Sequence, residues 1–316
     1  MIALALLVAT ATAGDPVLRD LEAAFVALDD GRQASARRLL VRATAAFEDT
    51  QLDGSDLQKA FASDRRKPYR GRPHERVLAH VVLAALEMQR GRCDLALPSL
   101  KSAAFFDLKA KVGDDSDAVV VHALTLRCLI DLEASAEEIG AARDVVGDAR
   151  IEAAVRDPGA RLVLDGRGPS FVPRGAQGEG VVAVQREHET RPIVIHLDRR
   201  VGDRHRVDGG VGPSAGLTVW SSFEQATTRR GRPFDKILAD RARFAAAHGT
   251  AGQRNLGDGG RRLSQARSRS DIVAAGLVSV VGAGMLTMAG LTDARADDRF
   301  VDALPERVRL VGSRAR

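Results

Sequence analysis

Two stretches of this chain, set 60 residues apart, share one spacing: Gly31, Ala36, Leu40 and Ala43 in the first, Gly91, Ala96, Leu100 and Ala103 in the second. A turn glycine followed by small and apolar residues at helical intervals describes the second helix of a helix-turn-helix unit, where short side chains let a neighbouring helix come close. Such a unit cannot bury its apolar face alone, so the pattern predicts stacked, tetratricopeptide-like helix pairs over residues 14–156. The usual offset between such units is about 34 residues. Here an insertion from Glu48 to Pro73 has to separate the copies. A third, degenerate unit follows, with one helix over 117–132 and another over 134–146. Its first helix is strongly apolar and is expected between neighbours.

Past Asp157 the periodicity changes. Short β-prone runs stand between Gly and Pro clusters at 161–165, 180–185, 192–198, 217–220 and 307–311. The chain therefore reads as α+β, with helical repeats first and a small strand-rich domain over 157–316. A helical insertion occupies about 234–292, carried by 235–247 and 270–291. The last strand has to return to the sheet from a distance. At 316 residues the chain is long enough for two cores, since single cores stop growing at roughly 250–300 residues.

Forty-seven basic against 42 acidic side chains leave a formal net charge of +5, and only six of the basic ones are Lys. Aromatic residues make up 4%, with Trp220 and Tyr69 the single examples of their kinds. A stacking surface for single-stranded nucleic acid needs several aromatics among basic residues, so no nucleic-acid partner is expected. Residues 1–13 read as a signal peptide: an apolar run from Ile2 to Ala9, then Ala11-Thr12-Ala13 as a small-x-small cleavage site before Gly14. Export to the periplasm is the localisation this predicts. Two cysteines fit an oxidising compartment with at most one bridge. Cys93 opens the second helix of its unit and Cys128 lies in the next helix, so a disulfide between them is geometrically open. Two small thiols packed as core residues is the preferred reading.

From Ile272 to Leu291, twenty residues carry no charge, a length that spans a bilayer. Gly276, Gly282, Gly284 and Gly290 make insertion marginal. A Gly-faced helix packed closely on protein is expected instead, with peripheral membrane contact left open. Between Arg229 and Arg269 stand eleven Arg or Lys against three Asp. Such a run is a solvated helical face, and also a candidate contact for anionic headgroups.

Three constellations invite a chemical reading. Gly212-Pro213-Ser214-Ala215-Gly216 matches the GxSxG string of a nucleophile elbow, but the elbow needs a strand before Ser214 and a helix directly after it. A β-prone run comes after it instead, so a turn is the better reading. His188 lies between Glu187 and Glu189, and His196 is followed by Asp198. Alternating polar residues on half-exposed strands account for these. No zinc-protease, phosphate-loop or dinucleotide fingerprint is present, and two thiols without a nearby His pair do not hold a metal. The expectation is a chain that is not an enzyme and takes no cofactor.

The loop from Arg65 to Arg76 holds six basic residues against Glu75, with Tyr69 at its centre. Pro68 and Pro73 stiffen it and Pro73 suits a helix start. An Arg/Tyr loop beside a helical-repeat groove has the composition of interface hot spots. Lys67-Pro-Tyr-Arg-Gly-Arg-Pro-His-Glu-Arg76, followed by a helix and the Gly91, Ala96, Leu100 and Ala103 face, resembles a signature of an uncharacterised family of exported bacterial tetratricopeptide-like proteins, in which PYxGxxxER opens a repeat. Ala296-Asp-Asp-Arg299 with Leu304-Pro305 resembles that family's second signature, ADxR followed by an aromatic and then LP before a strand. Phe300 stands where the family usually has Trp, and the family carries a further hairpin beyond the point where this chain ends at Arg316. The resemblance implies an envelope role without established chemistry, beside the cell-wall synthesis machinery.

The combined expectation is a non-enzymatic periplasmic adaptor or scaffold. It binds another cell-envelope protein through Tyr69, Arg70, Gly71, Glu75 and Arg76 together with the repeat groove, and replacing Tyr69 and Arg70 leaves its fold intact. The alternatives are a membrane-surface protein using the basic face and the Gly-rich helix, and a serine hydrolase using Ser214.

Overall fold

The computed structural model describes residues 15–48, 69–110, 118–174, 180–186, 190–198, 216–228, 232–265, 277–283, 285–286 and 299–312. The expected signal peptide and loop residues 65–68 lie outside them, as do His188 with its flanking glutamates, Ser214, and 296–298 of the second motif.

Helix α1 (Pro16–Asp29) starts where Asp15 Oδ1 accepts from the Val17 and Leu18 amides, and Pro16 supplies a first turn that needs no donor. It ends in a turn with Gly31 at φ 74°. There the Arg32 amide reaches Ala27 O at 2.7 Å and the Gly31 amide reaches Leu28 O at 2.9 Å. The chain then turns back into α2 (Gln33–Glu48), which packs on α1. The end of α3 (Pro73–Gln89) repeats this closure, with Gly91 at φ 71° and the Arg92 and Gly91 amides on Glu87 O and Met88 O at 2.9 and 2.7 Å. Beyond that turn α4 (Cys93–Ala110) packs on α3. The paired satisfaction of the last carbonyls requires a left-handed residue, which glycine adopts without penalty. Ala36, Leu40 and Ala43, and their counterparts Ala96, Leu100 and Ala103, are all fully buried in these contacts.

A third turn joins α5 (Val119–Asp131) to α6 (Ala136–Val146) with Glu133 at φ 53° in place of glycine, a conformation that costs a side-chain-bearing residue about 1 kcal/mol. Helix α7 (Ala149–Arg156) comes next. Helix α3 is buried on nearly every side, from His74 to Met88, because α2, α4 and α5 surround it and two later segments, the strand Ile193–His196 and the helix Ser222–Thr228, meet it too. Arg127 of α5 ties its own helix to the end of α7. Its Nε pairs with Asp131 at 2.9 Å, and its Nη1 donates to Val155 O and Asp157 O at 2.8 and 2.9 Å.

The sheet is wholly antiparallel, in the order β4 (Ile193–His196), β1 (Arg161–Asp165), β6 (Arg307–Val311), β5 (Leu217–Ser221). The last strand thus returns to the middle, pairing Leu162 with Leu310 on one side and Leu217 with Leu310 on the other. Asp165 of β1 takes Arg307 Nε at 3.1 Å and Arg309 Nη2 at 2.5 Å, fixing the register with two residues from one face of β6. A separate hairpin pairs β2 (Ser170–Arg174) with β3 (Gly180–Val184). The sequence reading omits β2, whose Pro173 argues against a strand; a two-stranded hairpin leaves proline an edge to occupy.

Helix α8 (Ser222–Thr228) follows β5 directly, ahead of the expected insertion, and α9 (Arg232–Gln265) opens that insertion. Helix α9 runs well past Ala247, through five glycines, where sequence reasoning stops it. Residues 277–283 are also helical, and they cross α9 at a glycine pair. A Cβ on Gly252 would lie 2.9 Å from Gly282 O and 2.8 Å from Leu286 Cγ; a Cβ on Gly282 would lie 2.8 Å from Leu256 N. The fold is α+β, and one buried core runs without a break from Leu21 in α1 to Leu310 in β6, through the expected domain boundary at 156–157.

Candidate functional site

Glu75 is the third residue of α3, and its carboxylate reaches back to accept from the amide of Arg72, the residue before the helix, at 2.6 Å. The same carboxylate takes the Tyr69 hydroxyl as donor and, through its other oxygen, the Val301 amide at 2.9 Å. Glu75 is 1% exposed and Tyr69 3%. A buried carboxylate needs its lone pairs filled. Three donors from three places in the chain do so here.

The surrounding groups tighten the same knot. Asp15, having capped α1 with one oxygen, accepts the Tyr69 amide on the other at 2.5 Å and pairs with Arg299 at 3.6 Å. The Arg299 guanidinium sits over the Tyr69 ring, 5.2 Å from its centre. Arg72 lies 3.6 Å over the Phe171 ring of β2 and donates Nε to Arg299 O at 3.2 Å. Phe171 in turn meets the His74 and Phe300 rings. Glu22 of α1 accepts from the Asp302 and Ala303 amides, while Arg186 pairs with Asp302 and donates to Gly168 O at 2.7 Å. The segment from Tyr69 to Glu75 and the described residues 299–303, 226 residues apart at Glu75 and Val301, are therefore joined directly.

Electrostatics follow burial. Desolvation pushes the Glu75 carboxyl above its ordinary range, with the Arg72 charge and the three donors pulling the other way. Glu22 is raised for the same first reason. Burial, then Arg72, depresses His74 to about 3, and burial, then Arg76, depresses His80 to about 4. Both imidazoles are neutral at physiological pH.

No family model, curated protein or solved structure matches this chain. Two of the five residues expected on a docking loop face inward, which corrects the picture of Tyr69 and Glu75 as partner contacts. Their side chains are buried against each other in the fold, and replacing Tyr69 is expected to weaken it. Arg70 is exposed, and Gly71 and Arg76 are half-buried at the same edge. Arg76 Nε donates to Arg70 O at 2.7 Å and Gly71 O at 3.0 Å, and its guanidinium lies 5.1 Å over the Phe106 ring. Beside Phe106, Phe105 is 51% exposed. Sequence reasoning missed Phe105 and Phe106 here because an FF pair inside an apolar helix looks like core.

Cys93 and Cys128 form a disulfide across α4 and α5, Cα to Cα 5.2 Å, where two packed thiols were the preferred expectation. The helices are close enough for either outcome to pack. His196 lies in β4 opposite Arg161. Among the described residues, no three His, Cys, Asp or Glu side chains are grouped as metal ligands, and no helix is long and apolar enough to cross a membrane.

Proposed function

We propose that the protein is a non-enzymatic adaptor of the cell envelope, built on tetratricopeptide-like helix pairs and exported to the periplasm. It docks another envelope protein, of the cell-wall synthesis machinery by the resemblance of its two motifs, at the edge formed by Arg70, Arg76 and Phe105. The observation that carries this reading is the composition of that edge: an exposed arginine and a half-exposed aromatic beside an Arg76 guanidinium already held over Phe106. Preordered Arg and aromatic groups dominate interface energetics, because little entropy remains to be lost on binding. The latch at Glu75 supports the reading indirectly. It fixes the backbone from Tyr69 to Arg72 and leaves Arg70 as the side chain that projects.

A photo-reactive residue in place of exposed Lys101, one turn before Phe105, tests this in the living cell. The expected result is a discrete cross-linked partner, lost when Arg70→Ala and Phe105→Ala are combined although the melting temperature is unchanged. Capture that persists in the double variant, or no capture at all, contradicts it.

A further inference from the structure

Several arginines of the helices are given a carboxylate by the chain itself: Arg37 holds Glu87 at 2.5 Å, Arg42 holds Asp20 at 2.9 Å and Arg92 holds Asp94 at 3.2 Å. Two at the head of α3 are not. Among the described residues, neither Arg70 nor Arg76 forms an ion pair with a carboxylate. Glu75, beside Arg76 in the sequence, is turned inward, its oxygens filled by the Tyr69 hydroxyl and the Arg72 and Val301 amides. The two cations nevertheless lie near each other. Burial first, and then the Arg70 charge, hold the Arg76 guanidinium below its ordinary range, with Glu75 and Tyr69 pulling the other way. Arg76 is also set in place. Its Nε is engaged by Arg70 O and Gly71 O at 2.7 and 3.0 Å, and its guanidinium lies 5.1 Å from the centre of the Phe106 ring and 5.7 Å from that of Phe47. One turn along α3, the neutral His80 ring stacks on the same Phe106 ring at 5.5 Å and meets Phe47 at 6.0 Å. The guanidinium therefore rests beside an uncharged aromatic cluster, and its two Nη groups have no acceptor among the described residues.

We propose that Arg70 and Arg76 together bind one side-chain carboxylate of an acidic segment with apolar neighbours, carried by the protein that docks at this edge. The proposal rests on the adaptor reading for the place of docking and adds the chemistry of the partner. Two like charges held together without a counter-ion attract an anion, and a planar carboxylate matches the fork of a guanidinium. Phe105, 51% exposed with its ring 5.7 Å from that of Phe106, receives an apolar neighbour of the acidic residue. The small extent of the charge selects a protein segment over a lipid surface. A lipid surface is read by roughly four to eight clustered cations, whereas this pair matches a single side chain.

A short peptide of alternating Leu and Glu with both ends blocked, titrated into the full chain and followed through the Arg76 Nε–H and His80 ring resonances, tests this. Both resonances shift with the acidic peptide, more weakly as salt is raised, and the same peptide with Gln in place of Glu leaves them still. Arg70→Ala lowers the affinity roughly tenfold and Arg70→Glu abolishes binding, while both variants melt like the parent because Arg70 is exposed. Arg70→Lys retains more affinity than Arg70→Ala. Equal binding of the Gln peptide, no shift with the acidic one, or an Arg70→Glu chain that binds like the parent overturns the proposal. So does a response to inorganic phosphate or to phosphatidylglycerol vesicles that matches the response to the peptide. Cross-linking from position 101 reads the adaptor separately: capture of a partner without carboxylate binding defeats this proposal alone, and carboxylate binding without capture defeats the adaptor reading and leaves the two-arginine site standing.

Discussion

Tyr69 gives Glu75 a hydroxyl donor in a place water does not reach, and Val301 gives it an amide from the far end of the chain. Removing one donor leaves a desolvated carboxylate partly unsatisfied, so Tyr69→Phe is expected to cost about 1–3 kcal/mol in urea unfolding while Arg70→Ala costs nothing measurable. The buried imidazoles add a pH dependence of definite sign. His80 and His74 titrate near 4 and 3 when folded and near 6.5 when free, so the unfolded chain binds protons that the folded chain refuses. The stability that these two groups contribute is full above about pH 6.5 and is lost as pH drops toward 4. Raised Glu75 acts the other way, gaining a proton in the folded state above its free value of 4.5. His80→Phe, which keeps the ring contacts with Phe47 and Phe106, is expected to recover about 2–3 kcal/mol of the acid-side loss near pH 4. Unfolding free energies measured from pH 7 to pH 4 give the comparison. The prominence of Tyr69 was legible in the sequence; its direction was not. Tyrosine serves buried hydrogen-bonded positions as well as interfaces, and the deciding partner, Val301, is remote. One local signal was available. Glu75 follows Pro73 at the position where an N-terminal cap reaches back to the chain, which makes an internal role for it the simpler reading.

Among the elements, turns were the most legible and long-range packing the least. Gly31 and Gly91 end their helices as expected, because a left-handed terminus is a local demand. Helix α9 escapes local rules: each interior glycine disfavours it by about 1 kcal/mol relative to alanine, yet Gly252 sits where any side chain strikes the crossing helix. These two effects oppose each other in a single substitution. Gly282→Ala gains about 1 kcal/mol of helix propensity and loses about 1–3 kcal/mol by forcing the Leu256 amide and Asn255 side chain apart from it. Packing is expected to win, and limited proteolysis within 232–286 accelerates in the variant. Faster cleavage marks the crossing as real; slower cleavage marks it as a simple exposed helix.

At the scale of the whole molecule, helices and sheet share one core because the chain end is threaded back through both. Segment 299–303 is held by Glu22 and Glu75 of the helices, and β6 then enters the sheet between β1 and β5. Arg127 binds α5 to the residues just before β1. The change from helical to strand periodicity was readable near Asp157, but periodicity reports local structure and not which cores merge. The disulfide adds a covalent tie across a 35-residue separation, of a kind typically worth about 2–4 kcal/mol. Everything turns on the latch between the two motifs, and hydrogen exchange at the Val301 amide reads it directly. Slow exchange is expected in the parent chain and in Arg70→Ala, with protection lost in Glu75→Ala. A Val301 amide that exchanges at the rate of an open chain in the parent, or stays protected without Glu75, contradicts the account.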